Sequence, residues 1–222
     1  MNKEESALFC PPLALWDMDG TILDSMRWWR TVLPELVDEK EIVLPPEIRR
    51  ELDGIPAGRG LDLVTRMMMG EENGVLTMGD IHERMRRHYL EDVAVYPAAV
   101  TLLERQRAAG TRVVIASASP TKICKEALAH FGLSHLVSGY FTTEEAGVGK
   151  GDPEYFRRAL VAWGTRVADA VLFEDAYYSA RTAKSMGMRA VITEDSYQAA
   201  RKDELYEMAD AYFTDGFAKR LK

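Results

Sequence analysis

Two carboxylates, Asp17 and Asp19, stand one residue apart at the point where a short apolar run ends. The run, Leu13 to Trp16, is typical of a buried strand, and Gly20 breaks the pattern at once. Open α/β sheets bind their ligands at the carboxyl ends of strands, so both acids are candidate ligand-binding groups. Like charges this close in a buried site are costly unless a cation or a proton relieves the repulsion. The pair therefore predicts a metal ion, a shared proton, or both.

A second apolar run, Val113 to Ala116, ends in small hydroxylated residues. The run predicts another buried strand, with the Ser117 hydroxyl at its tip. Ser119 stands directly before Pro120 and therefore fits the N-cap position of a following helix.

Two further segments carry charge. Lys150 lies in a glycine-rich stretch, where a lone lysine is ordinarily a solvated surface residue, and the apolar run Val171–Phe173 closes on the acidic pair Glu174–Asp175. The lysine segment is not a nucleotide-binding P-loop. Glu144 stands where that motif requires its first glycine, and Gly151 stands where it requires serine or threonine.

Taken in order, the four segments resemble the four motifs of the haloacid dehalogenase (HAD) superfamily, and the string Asp17-x-Asp19-Gly20-Thr21 is similar to the first of them. The resemblance implies that Asp17 is a nucleophile that accepts a phosphoryl group. It further implies that Asp19 acts as general acid and base. The Ser117 hydroxyl would bind a phosphoryl oxygen, and Lys150 would steady both the nucleophile and the transferring phosphate.

The resemblance also implies a magnesium site formed by the side chains of Asp17 and Asp175 and the backbone carbonyl of Asp19. Glu174 is a weaker candidate ligand. The ion suits this chemistry, because Mg²⁺ prefers oxygen ligands and commonly holds substrate phosphate beside carboxylates. Two unit charges ~4 Å apart still repel by about 4 kcal/mol at an effective dielectric constant near 20, so an anionic nucleophile needs positive charge next to a phosphate ester.

Composition limits the classes of function. The 222 residues are 47% hydrophobic and 28% charged, as in ordinary soluble globular proteins. A formal net charge of −7 without a dense Lys/Arg run argues against nucleic acid as a partner.

No apolar run approaches the ~20 residues of a membrane helix, and the proline-interrupted stretch from Ala7 to Trp16 is too short for a signal peptide. Cys10 and Cys124 form no metal-binding spacing, which favours a reduced, cytoplasmic setting. We expect a monomer or a weak homodimer.

The pattern of elements predicts an α/β fold with an inserted helical domain. Strands alternate with helices from about residue 96 onward, which indicates a doubly wound, mostly parallel sheet covered by helices on both faces. Residues 1–25 and 93–222 form this predicted HAD-like core, and residues 26–92 form a small helical cap. The predicted strands are 13–16, 112–117, 139–142, 171–173, 190–193 and 211–214, and the predicted helices are 28–36, 46–52, 61–69, 80–90, 102–109, 122–131, 153–163, 179–186 and 198–208.

Similar HAD proteins carry a mobile cap at this insertion point, where closure would exclude water and let cap residues contact the leaving group. In the predicted loop Ile55–Gly60, Arg59 is the candidate to reach a substrate anion, the alternative being an ordinary exposed loop arginine. We expect Trp28–Trp29 and Met67–Met69 to pack the cap core, with one of them facing the substrate as the alternative. The predicted substrate-binding residues are Ser117, Ala118, Lys150 and Arg59.

The expected function is Mg²⁺-dependent hydrolysis of a small phosphorylated metabolite, a sugar or polyol phosphate, through an aspartyl-phosphate. Dehalogenases of the same fold lack an acid at the position of Asp19, because halide leaves without a proton. A β-phosphoglucomutase-like activity is the alternative, disfavoured by Trp29 and Ala57 where the mutases carry histidine and arginine. A non-catalytic binding protein on this fold is a third alternative. Gly151 replaces the usual proline, which is expected to loosen the lysine loop, and Ala176 replaces the usual serine.

Overall fold

The structure is a computed structural model that describes residues 3–52, 57–67 and 76–222. Within these ranges seven strands form one sheet in the order β3-β2-β1-β4-β5-β6-β7. Strands β1 to β6 are parallel, and β7 pairs antiparallel with β6 at the edge. The strands are β1 Leu13–Trp16, β2 Arg112–Ile115, β3 Gly139–Tyr140, β4 Ala170–Glu174, β5 Arg189–Thr193, β6 Ala211–Thr214 and β7 Lys219–Arg220.

Strand β1 lies between β2 and β4, and all of its residues are buried. Such continuous apolar runs are typical of parallel strands covered on both faces. The register pairs Trp16 with Ile115 on one side and with Phe173 on the other. The Asp17 amide donates to the Phe173 carbonyl (2.9 Å), and the Ala116 amide donates to the Trp16 carbonyl (2.7 Å). The residues that follow these three strands therefore meet at one edge of the sheet.

Helices cover both faces of the sheet, which confirms the predicted fold class. On one face, Leu13 and Leu15 belong to the same buried cluster as Tyr155 and Phe156. On the other face, Trp16 Nε1 donates to the side chain of Gln106 at 2.8 Å. The α-helices are α1 Lys3–Phe9, α2 Met26–Glu39, α3 Pro46–Leu52, α4 Ala57–Met67, α5 Met78–Glu91, α6 Pro97–Ala108, α7 Thr121–His130, α8 Thr143–Ala146, α9 Pro153–Ala162, α10 Tyr177–Ser185 and α11 Lys202–Met208.

The chain divides into two compact units. The α/β unit comprises Met1–Asp24 and Val95–Lys222, and the helical unit comprises Ser25–Ala94. Within the helical unit, Trp29 Nε1 donates to the Tyr89 hydroxyl at 3.1 Å, and the Trp28 ring stacks on His88 with the ring centroids 4.3 Å apart. Both tryptophans are half-buried and contact residues of their own unit, and whether one of them faces the substrate stays open to experiment. No helix in the described ranges is long and apolar enough to cross a membrane.

Short elements are where the fold departs from the sequence-based expectations. Helices α1 and α8 and strand β7 have no predicted counterpart, because two to seven residues are too few to show a hydrophobic period. The single helix expected over residues 198–208 is divided into a 3₁₀ segment, Ser196–Arg201, and α11.

The prediction of a loop around Arg59 is wrong. Arg59 lies inside helix α4, and its side chain is exposed. Leu61 and Val64 are buried on one side of this helix, and that apolar face outweighs the poor helix propensity of the nearby glycines. Ile55–Pro56 and Met68–Met69 lie outside the described residues, as do the side chains of Ala57 and Met67.

Candidate active site

Three carboxylates converge at the sheet edge where β1 and β4 end. Asp17 directly follows β1, Glu174 is the last residue of β4, and Asp175 is the next residue. One carboxylate oxygen from each lies within 4.8 Å of the others. All three side chains are almost completely buried. The parallel register explains the cluster, because it brings the ends of these neighbouring strands level.

Lys150 lies among these acids and not on the surface, where a lysine of a glycine-rich loop is ordinarily found. Its Nζ is 2.5 Å from Asp17 Oδ1 and 3.0 and 3.2 Å from the two Glu174 oxygens. It also donates to the Ala116 carbonyl at 3.1 Å, and the residue is only 2% exposed. The Gly151 carbonyl that follows lies 3.2 Å from Thr182 Oγ1, so the segment is held despite the missing proline.

Burial dominates the electrostatics of the cluster. Burial and the Asp17 charge raise the pKa of Glu174 to about 8, against the opposing effect of Lys150. Burial, followed by the charges of Glu174 and Asp17, raises the pKa of Asp175 well above its ordinary value. The pKa of Asp17 is also raised by burial, which outweighs Lys150. Burial alone would lower the pKa of Lys150, but the charges of Asp17 and Glu174 raise it well above its usual range. Without further positive charge, the cluster thus favours holding a proton.

The cluster fits a divalent cation on two counts. Its donors are carboxylate oxygens, the ligand type that Mg²⁺ prefers. Asp175 Oδ1 accepts from Thr21 Oγ1 at 3.2 Å, whereas the buried Asp175 Oδ2 has no hydrogen-bond partner among the described residues. Buried polar atoms are rarely left unpaired, so an orphaned oxygen beside two other acids is consistent with a cation ligand. The Asp19 side chain is not part of this group, and the expectation for Asp19 concerned its backbone carbonyl.

The Asp19 carboxylate is held by Ser119, a residue that the sequence predicted to be a helix N-cap. Ser119 Oγ donates to Asp19 Oδ2 at 2.9 Å. The expected N-cap role of Ser119 is wrong, because helix α7 begins at Thr121 with Pro120 in the cap position and no side-chain cap. The local signal for a cap was present in the sequence, but the partner of this hydroxyl lies 100 residues away along the chain.

Ser117 and Ala118 follow β2 at the same edge of the sheet. Ser117 is completely buried, and its Oγ accepts from the Ser119 amide at 3.0 Å. Ala118 is exposed, and its carbonyl accepts from Thr143 Oγ1 at 3.1 Å. The loop that carries the second predicted motif is thus bonded to Asp19 through its last serine.

The predicted residues Asp17, Asp19, Ser117, Ala118, Lys150 and Asp175 all belong to the α/β unit, at the carboxyl edge of the sheet. Glu174 shares the carboxylate cluster, which the sequence indicated only weakly. Arg59 belongs to the helical unit, so its contact with a substrate anion stays a prediction.

The family model for haloacid dehalogenase-like hydrolases matches residues 12–187. Fructose-1-phosphate phosphatase YqaB from Escherichia coli is 25% identical to this chain over 178 residues, which are 80% of this chain and 93% of the relative. The structure of CbbY from Rhodobacter sphaeroides in complex with phosphate is similar, with a TM-score of 0.73, 22% identity and coverage of 94% of this chain and 95% of that one. A putative β-phosphoglucomutase from Thermotoga maritima gives a TM-score of 0.70 at 18% identity, covering 92% and 94%.

The match spans all four motifs, and the fold likeness spans nearly the whole chain. Both agree with the family predicted from the residues at the strand ends. The chain belongs to the haloacid dehalogenase-like hydrolases.

Proposed function

We propose that this protein is a Mg²⁺-dependent phosphatase that hydrolyses a small phosphorylated metabolite, a sugar or polyol phosphate, through an aspartyl-phosphate on Asp17. The observation that carries the proposal is the contact between Asp17 and Lys150 beside the unpaired oxygen of Asp175. A buried carboxylate next to an ammonium group is suited to attack a phosphate dianion. The sugar-phosphate specificity in the name of the Escherichia coli relative supports the substrate class.

Asp17 and Asp175 side chains and the Asp19 backbone carbonyl would hold the ion. When bound, Mg²⁺ supplies positive charge that offsets the repulsion between the carboxylates and the substrate phosphate. Glu174 has a different position, because both of its oxygens accept from Lys150. We therefore assign Glu174 first to fixing the ammonium group that faces Asp17.

Asp17 begins the reaction. A carboxylate oxygen of Asp17 attacks phosphorus in line with the ester bond, so a new P–O bond forms as the bond to the leaving group breaks. The Lys150 ammonium group, 2.5 Å away, favours the ionised form of the nucleophile and opposes the effect of burial, which raises the Asp17 pKa. This ammonium group and the Ser117 hydroxyl also stabilise the equatorial phosphoryl oxygens, a role that requires fixed donors in a buried site.

Asp19 transfers the protons of both reaction steps. In the first step it donates a proton to the leaving alkoxide, and in the second it takes one from the water that attacks the aspartyl-phosphate. The hydrogen bond from Ser119 holds the Asp19 carboxyl group in one orientation. The products are the free alcohol and inorganic phosphate, and Asp17 and Asp19 return to their starting states.

The helical unit is proposed as the cap domain that the family resemblance implies. It is a separate compact unit inserted directly after the first motif. Its Trp29 is engaged with Tyr89 and so does not offer the polar contact that a mutase histidine would supply. We therefore favour water, and not a sugar intermediate, as the acceptor of the phosphoryl group. Arg59 is the proposed contact for a substrate anion.

The test is a panel of sugar, polyol and small organic acid phosphates, assayed for released phosphate with Mg²⁺ and with chelator. We expect one or a few substrates to be hydrolysed, activity to vanish with chelator and return with Mg²⁺, and Asp17→Asn to be inactive. Full activity in chelator would contradict the metal assignment. A parallel incubation with β-glucose 1-phosphate and a trace of the 1,6-bisphosphate follows glucose 6-phosphate and free phosphate. Faster formation of glucose 6-phosphate would replace the phosphatase proposal with a mutase.

A further inference from the structure

The short helix α8 is bonded to the loop that follows β2, and its first residue contacts the proposed phosphate-binding segment directly. We propose that Thr143 is a positioning residue that fixes the two peptides on either side of Ala118 for phosphate binding. The inference rests on the proposed function, because it assigns Thr143 a task in the same site. It adds a residue that none of the four motifs contains.

Thr143 makes two bonds to consecutive residues of the loop. Its backbone amide donates to the Ser117 carbonyl at 3.0 Å, and its hydroxyl donates to the Ala118 carbonyl at 3.1 Å. The first carbonyl belongs to the Ser117–Ala118 peptide and the second to the Ala118–Ser119 peptide, so one residue engages both peptides of Ala118. Two carbonyls bonded to the hydroxyl and the amide of one residue fix the orientation of both peptides.

The helix that carries Thr143 is itself fixed at both ends. Glu145 Oε2 accepts from the Thr142 amide (2.6 Å) as part of a capping box at the start of α8, and it also accepts from the Thr142 hydroxyl (2.5 Å). At the other end, Arg158 Nη1 donates to the Ala146 carbonyl at 2.6 Å. A helix of only four residues has little stability alone, so these contacts are what hold Thr143 in place.

The same helix also holds the far end of the loop. Thr121 donates its amide to Glu144 Oε2 at 3.3 Å and its hydroxyl to Glu145 Oε1. Thr143 and Thr121 therefore bracket the loop from residue 117 to residue 121. Between them, Ser119 donates to Asp19, so the bracketed loop also contacts the proposed general acid.

The arrangement has a direct chemical consequence. A carbonyl oxygen carries partial negative charge and would repel a phosphate dianion if the peptide turned toward it. Thr143 keeps the Ser117 and Ala118 carbonyls bonded, and both donors of Ser119 are engaged with Ser117 and Asp19, so the Ser117 hydroxyl and the Ala118 amide are the donors proposed for phosphate. Donors fixed before the substrate arrives stabilise developing charge without a cost of reorganisation.

Thr143→Val tests the proposal, because it removes the hydroxyl bond to Ala118 and leaves the amide bond to Ser117. Loss of one hydrogen bond that orients a neutral group predicts a weakening of about 2- to 12-fold. We expect this change in kcat/KM and in the inhibition constant of inorganic phosphate, with Mg²⁺ present. Thr143→Ser keeps the hydroxyl and should restore both. Thr101→Val is the matched control, since Thr101 Oγ1 also donates to a backbone carbonyl at 3.1 Å, that of Pro97 in α6.

A role in stability alone would lower the melting temperature of Thr143→Val and leave phosphate inhibition at the wild-type value. That result, or a Thr143→Ser variant as impaired as Thr143→Val, would overturn the inference while the proposed function stands. Absence of both turnover and phosphate binding in the wild-type protein would overturn the two together. If Thr143→Val does not fold, Thr121→Val removes the hydroxyl bond to Glu145 at the other end of the loop and should weaken phosphate inhibition in the same direction. Unchanged inhibition in that variant would equally reject the inference.

Discussion

The two units of the molecule use charged side chains in opposite ways. In the α/β unit, three carboxylates and Lys150 are clustered almost without exposure, and Asp175 Oδ2 has no partner among the described residues. In the helical unit, His88 lies between two carboxylates, 2.8 Å from Glu35 and 2.7 Å from Asp92. Glu35 also contacts Arg84 at 3.4 Å, and these acids are partly exposed.

The contrast separates charged groups that join helices from charged groups at the site of the proposed reaction. Glu35 of α2 and His88 of α5 connect two helices, and the Glu35 pKa is lowered by hydrogen bonds from Thr31 and His88 that outweigh burial. At the sheet edge the shift has the opposite sign, because burial raises the pKa values of the acids. Burying charge without full compensation costs stability, so such a site is expected where a function requires it.

The largest effect is expected from Asp17→Asn. The amide is nearly the same shape as the carboxylate but cannot attack phosphorus, so turnover should fall by about 10⁴-fold or more. Circular dichroism should show an unchanged fold. Residual activity near the wild-type value would mean that another group is the nucleophile.

Asp19→Asn should depend on the leaving group. With alkyl phosphates the loss should be about 10²- to 10⁴-fold, because a poor leaving group needs the proton. With 4-nitrophenyl phosphate, which leaves unaided, the loss should be much smaller. Measurement of kcat for both substrate types with the same preparation of Asp19→Asn gives the two losses. Equal losses would contradict an acid and base role for Asp19.

Lys150→Met, set beside a variant in the helical unit, compares how much a charged contact contributes to the free energy of unfolding in each unit. Removal of the ammonium group leaves Asp17 and Glu174 facing each other in a buried site, which should cost about 3–5 kcal/mol in the free energy of unfolding. Lys40→Met is the matched control in the helical unit. Its 3.1 Å pair with Asp80 is partly exposed and should contribute only about 0–1 kcal/mol. Urea titration of both variants measures the difference, and similar losses would remove the distinction drawn between the units.

The smallest effect concerns the start of helix α5. Hydrogen bonds from the hydroxyl and amide of Thr77 lower the pKa of Asp80 from 3.8 to about 2. A carboxyl group with a lowered pKa stabilises the fold above its unfolded-state value, and that contribution is lost as pH falls through about 2. Since the side chain is partly exposed, we expect a contribution of about 1 kcal/mol. Asp80→Asn should therefore be less stable than wild type at pH 5, with the gap narrowing toward pH 2. A gap that is constant with pH would contradict this assignment.

The site residues at the sheet edge could be predicted from the sequence, because the patterns that indicate them are local. Asp17 and Asp175 directly follow strands β1 and β4, and the parallel register of these strands brings the two acids to the same edge of the sheet. Lys150 had no local signal and was found only through the family resemblance. The Ser119–Asp19 contact and the position of Thr143 depend on tertiary structure, and α8 is too short to show a hydrophobic period.

The helical unit shows the converse. Its amphipathic helices could be predicted from their spacing, as with Ile81, Met85 and Tyr89, which are all buried on α5. Its chemistry could not, because a solvent-exposed residue such as Arg59 has no pattern that separates a ligand contact from an ordinary surface position. The roles proposed for Arg59 and for the catalytic residues stay predictions.

The buried carboxylate beside Lys150 is proposed to carry the phosphoryl group. Rapid quenching of the wild-type protein with Mg²⁺ and a hydrolysed phosphate ester, followed by mass spectrometry of its peptides, tests this directly. We predict a phosphoryl group on the peptide that contains Asp17, formed within a single turnover and missing from Asp17→Asn. Turnover without a phosphorylated peptide, or with the phosphoryl group on another residue, would contradict the account.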